Sequence, residues 1–177
     1  MIHADAIEDG IAAYERGDYA TALKIWRPLA EQGTAGAQYN LGVACAEGRG
    51  VPHDDAEAAW WWRMAADQGH VWAQHNLGVA YRDGDGVAQD YAEAVKWFRL
   101  AVEQGDADAQ YNLGAMYGNG HGVPQDNVQA HIWFDLAAEQ GGEKAKKNRG
   151  IAASLMTSNQ IAKAKLMARK WMAKHQQ

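Results

Sequence analysis

The residue types that most often do chemistry are present in this sequence, but their spacing does not assemble them. Seven histidines fall at His3, His53, His70, His75, His121, His131 and His175, and no His-Glu-x-x-His occurs. His70 and His75 are five apart, a poor spacing for two metal ligands on one helical face. Asp83-Gly84-Asp85-Gly86 opens like a calcium loop but lacks the later oxygen ligands and the closing bidentate glutamate. Neither Ser154 nor Ser158 begins a Ser-x-x-Lys. Cys45 stands alone, so no internal disulfide or cysteine-built zinc site can form. No catalytic residue, metal site or cofactor is expected. What remains is the chemistry of contact. The candidate partner-binding residues are Trp60, Trp72, Lys24, Arg63, Lys96 and His131, with a basic C-terminal patch of Lys163, Lys165, Arg169, Lys170 and Lys174.

The elements that must position these residues repeat. Gln32-Gly33, Gln68-Gly69, Gln104-Gly105 and Gln140-Gly141 lie 36 residues apart. Leu41-Gly42, Leu77-Gly78 and Leu113-Gly114 keep the step, as do Asp18, Asp54, Asp90 and Asp126. Each unit reads as two helices. The aspartate caps the first, with Glu or Gln three residues on in the last three copies, a capping-box spacing. The Gln-Gly pair ends that helix, and a Gly-x-Gly loop, as at Gly84-Asp85-Gly86, ends the second. These signals predict helices at about 19–32, 36–47, 55–68, 71–82, 91–104, 107–118, 127–140 and 143–154, with cap helices near 3–16 and 158–174. The Gly-x-Gly loops follow helices rather than a strand, which removes a nucleotide-binding reading. Gly42, Gly78 and Gly114 fall inside helices at about 1 kcal/mol each relative to alanine, which predicts close approach of a neighbouring helix there.

The register sorts the binding candidates. Trp26, Trp61, Trp62, Trp97 and Trp133 recur at equivalent positions and read as core. Trp60 stands where other copies hold Lys24, Lys96 and Ile132, and Trp72 where they hold Gly36, Asp108 and Lys144. A position that accepts lysine, glycine and aspartate is not a buried one, and exposed tryptophan is a favoured interface residue. Local packing on a neighbouring repeat is the competing expectation. For the charged face, the plain reading is pairing along each helix, Arg27 with Glu31, Arg63 with Asp67 and Arg99 with Glu103.

The pattern Ala-x-x-x-Trp-x-x-x-Ala-Ala-x-Gln-Gly, then Ala-Gln-x-Asn-Leu-Gly, then Gly-x-Gly-Val-x-x-Asp resembles the Sel1-like repeat, a relative of the tetratricopeptide repeat, over residues 18 to about 150. The resemblance implies an all-α, right-handed α/α superhelical solenoid. It would run as one domain over 1–177, with an N-terminal cap at 3–17, repeats at 18–53, 54–89, 90–125 and 126–156, and a C-terminal cap at 157–177. It implies a non-catalytic scaffold whose first helices line a concave face that holds a protein or peptide, in an adaptor or assembly role in bacteria. Cysteine-rich relatives are described as β-lactam-binding or hydrolysing, so a β-lactam or cell-wall hydrolase is the alternative, with an immunity-type binder as a third. With Cys45 alone, this chain departs from the cysteine-rich pattern.

Charge is uneven along the 177 residues. Residues 1–142 carry 8 Lys and Arg against 21 Asp and Glu, a balance of −13, while residues 143–177 carry 9 against one, a balance of +8. That tail could attract an acidic partner or the opposite end of a second copy; the simpler expectation is a monomer with no nucleic-acid partner. No stretch has the length and apolarity of a membrane span. His3-Ala4-Asp5-Ala6 would suit a mature start after signal cleavage, which leans the expectation towards an exported bacterial protein and otherwise a cytoplasmic one.

Overall fold

The computed structural model describes the backbone of residues 2–175 and the side chains of residues 4–175; the side chain of His3 lies outside that description. Every element among the described residues is an α-helix: α1 (Ile2–Glu15), α2 (Tyr19–Glu31), α3 (Ala35–Glu47), α4 (Asp55–Asp67), α5 (Val71–Asp83), α6 (Tyr91–Glu103), α7 (Ala107–Asn119), α8 (Asn127–Glu139), α9 (Glu143–Ser154) and α10 (Ser158–His175). The chain divides into two units, Met1–Gln89 and Asp90–Gln177.

The helix starts are those the aspartates dictate. Asp54 accepts from Glu57 N at 2.9 Å, and Asp90 and Asp126 accept from the N–H groups two and three residues on. The capping boxes are only half made at Asp54 and Asp90. The Asp54 N–H goes instead to the Cys45 carbonyl of the preceding helix, which leaves Glu57 free to accept from Trp61. At α10 the box is complete: Thr157 N donates to Gln160 Oε1, and Gln160 N donates to Thr157 Oγ1.

Gly42 and Gly114, inside α3 and α7, are explained by contact. A Cβ on Gly42 would strike the Trp62 indole and meet the Ala58 carbonyl at 3.1 Å; one on Gly114 would lie 2.8 Å from two carbons of Phe134. An aromatic ring from the next first helix thus sits where a side chain would stand, as the sequence predicts. The second glycine of each Gly-x-Gly loop serves a different contact. A Cβ on Gly86 would overlap the Asp55 carbonyl, and one on Gly122 the Tyr91 carbonyl, so these two loops lie on the backbone opening their own repeats.

In the first unit, Trp26, Leu41, Ala44, Ala58 and Trp61 form a core joined by α1, whose Ile7 carbonyl accepts from Trp26 Nε1 at 3.3 Å. In the second unit, α10 packs on α8 rather than closing the outer side of α9. Ala164 and Ala168 are fully buried against Ile132 and Leu136, with Trp171 and Met172 at the margin. Leu166 is 53% exposed, off this covering face: two residues from Ala164 is about 200° around a helix. On α9, Gly150 meets nothing within 4 Å, and Ile151 stands exposed, as does Leu155 at the C-cap.

Candidate binding surface

Trp60 projects from α4 and is 55% exposed, with its ring edge-on to Trp61 at 4.5 Å between centroids. It therefore has packing on one side and water on the other, a combination typical of interface aromatics. One turn on, Met64 is half-buried. Trp61 itself is buried and donates through Nε1 to Glu57 at 3.3 Å.

Trp72, in the first turn of α5, is 58% exposed and belongs to a cluster that sequence reasoning missed. Tyr39 of α3 stacks on His70 at 4.7 Å, and the Trp72 ring lies 5.9 Å from Tyr39 and 5.8 Å from His70. His70 is also the N-cap of α5: its Nδ1 accepts from Ala73 N at 3.3 Å. Burial holds its pKa below the ordinary histidine value. The signal was available, since His70 occupies the cap position that Asp106 fills one repeat later.

The charged candidates take varied roles. Arg63 donates to the Tyr81 hydroxyl, its guanidinium lying 5.4 Å from the centre of that ring, and Arg99 donates to Tyr117 at 2.8 Å. Both arginines thus reach across to the second helix of their repeat, a contact that pairing along the helix does not anticipate. Lys96 is paired with Glu93, which raises its pKa. Lys24 is exposed beside a shallow depression that includes Arg27, Pro28 and Glu31.

His131 is not a surface residue. It is 2% exposed, and its Nδ1 lacks a hydrogen-bond partner. Its register equivalents Leu23, Ala59 and Val95 are all buried apolar residues, so the histidine fills a core position. Desolvation, the largest influence, lowers its pKa. Lys163, Lys165, Arg169, Lys170 and Lys174 are all exposed along α10. Cys45 is buried and its thiol is pushed up to about 11, chiefly by desolvation, so it is not a thiolate at neutral pH.

The second unit holds a cleft of about 480 Å³ lined by Glu103, Gln110, Leu136, Glu139, Trp171 and His175, among others. His175 closes one side. Its ring stacks on Trp171 at 3.9 Å, its Nδ1 is 2.8 Å from the Trp171 carbonyl, and its Nε2 is 3.0 Å from Glu103. Acceptors at both nitrogens favour the imidazolium, and the pKa is raised, first by the Trp171 carbonyl and then by Glu103. Among the described residues no cluster of three or more His, Cys, Asp or Glu could hold a metal ion, and no helix is long and apolar enough to cross a membrane.

Paired helices at a 36-residue step, with an aromatic ring of α4 and of α8 stacked on a glycine of the helix before it, define an α/α repeat protein. The Sel1 repeat family model matches residues 35–70, 73–106 and 107–142, and the chain belongs to that family. The family frame opens on the second helix of each pair described above. Among solved structures, a Sel1 repeat protein from Oxalobacter formigenes is 33% identical with a TM-score of 0.77, over 82% of this chain and 60% of its own. A protective antigen of uropathogenic Escherichia coli, c5321, which displays the same repeat fold, is 29% identical with a TM-score of 0.68, over 98% of this chain and 46% of its own. The chain therefore spans less than two thirds of either. No curated protein matches it. Sel1-repeat chains are in general protein-interaction scaffolds rather than catalysts.

Proposed function

We propose that this chain is a non-catalytic scaffold that binds a protein or peptide partner in an adaptor or assembly role, with the first unit carrying the contact. The observation behind this reading is the pair of exposed tryptophans, Trp60 and Trp72, at positions where the other repeats hold mostly polar or small residues. Folding gains little from an indole left more than half in water. Binding gains much, because a buried aromatic anchor at an interface centre carries a large share of affinity. The charged surface around them tunes association rate and partner choice more than it adds affinity.

The test is affinity recovery from the source cell with the intact protein, compared with Trp60→Ala and Trp72→Ala variants of unchanged thermal stability. A partner retained by the parent and lost by either variant supports the reading. A partner set identical across all three contradicts it.

A further inference from the structure

The open face of α4 has a covered counterpart within the same chain. The 36-residue register aligns Ala56, Trp60 and Met64 of α4 with Val128, Ile132 and Leu136 of α8. On α8 that face lies under α10, where Ile132 and Leu136 are 4% and 2% exposed. In α2 and α6 the central position holds Lys24 and Lys96, exposed side chains that need no cover. Among the four first helices, α4 therefore presents at that position an apolar residue left more than half exposed.

The covered copy specifies what fits. α10 brings Ala164 and Ala168, four residues apart, over the ridge of α8, so the two helices approach closely. Trp171 and Met172 follow at the margin, and His175 at the end of α10 meets Glu103, the last residue of α6. The register equivalent of Glu103 for a helix lying on α4 is Glu31, the last residue of α2. Residues 1–89 carry 13 acidic side chains against 6 basic ones, which matches a cationic helix.

We infer that the Ala56–Trp60–Met64 face of α4 docks a basic amphipathic α-helix from another protein. That helix carries alanine-sized residues four apart over Trp60, an aromatic or methionine one turn later, and a cation at its C-terminal end opposite Glu31. The occupant is not α10 of a second copy, because the alanine face of α10 is already used on α8. The inference rests on the scaffold reading above and names the partner class.

The probe is a labelled synthetic peptide of residues 157–175, which carries this pattern, titrated into the intact protein by fluorescence anisotropy. Saturable binding is expected, weakened roughly tenfold or more by Trp60→Lys, which installs the residue of α2 and α6. Glu31→Gln is expected to weaken it severalfold. A peptide with both alanines replaced by glutamate is expected not to bind. Absence of binding by the parent peptide overturns the inference. So does binding that Trp60→Lys leaves intact, the result that exchange with α10 on α8 would give. Either failure leaves the scaffold reading standing, because that reading is judged by the native partner's response to Trp60→Ala and Trp72→Ala.

Discussion

Gln68 Nε2 donates to Gln38 Oε1 at 2.8 Å, tying the C-cap of α4 to a buried glutamine of α3. Gln38 in turn donates to the Ala30 carbonyl at 3.1 Å, so one side chain joins three helices. The second unit repeats the link, with Gln140 donating to Gln110 at 3.0 Å, but there Gln110 Nε2 has no partner. Gln38→Met removes two bonds and strands polar groups, and is expected to cost about 1–3 kcal/mol. Gln110→Met removes one bond and an orphaned amide group, and is expected to cost distinctly less. Urea unfolding of both variants checks the order; equal losses would contradict the bridging role of Gln38.

Register-equivalent glycines make a second test. Gly42→Ala forces a methyl group against the Trp62 indole and is expected to destabilise by about 1–3 kcal/mol. Gly150 occupies the same position in α9 with open space around it, so Gly150→Ala is expected to stabilise by roughly 0.5–1 kcal/mol through helix propensity. Thermal melts of the two variants should shift in opposite directions.

Two histidines give opposite pH dependences. The folded pKa of His70 is lowered by burial, so the unfolded chain holds its proton more tightly. Its stabilising contribution is present above the usual histidine value of about 6.5 and is lost as pH falls through that value towards the lower folded one. Protonation also removes the acceptor for Ala73 N and places positive charge at a helix N-terminus. His175 has a raised folded pKa, so its contribution is present below about 6.5 and is lost as pH rises through the folded value. His70→Asp, which installs the residue found at Asp106, is expected to reduce the loss of stability between pH 7.5 and 5.5, read as a smaller change in Tm. An unchanged pH slope would contradict the capping role of His70.

The helix boundaries were legible because local chemistry sets them: aspartate caps and glycine stops recur in register, and the observed ends agree to within about a residue or two. The close-contact role of Gly42 and Gly114 was legible for the same reason. His131 was misread because its type was weighed before its column, although Leu23, Ala59 and Val95 mark that column as apolar. The reach of Arg63 to Tyr81 and of Arg99 to Tyr117 repeats at the same separation of 18 residues, a signal in the sequence that pairing along the helix obscured. The seat of α10 could not be read at all. Periodicity reports that a helix has an apolar face, but not which helix that face meets, and α10 covers α8 while Ile151 of α9 stays exposed.

The claim that the first unit is a partner-binding surface centred on its exposed tryptophans is tested most directly by titrating the recovered partner into the parent protein and into Trp60→Lys by calorimetry. The lysine suits an exposed helical site and stands there in α2 and α6, so Tm is expected to stay within a degree or two while affinity falls roughly tenfold or more. Equal affinity for the two proteins, at equal Tm, would contradict it.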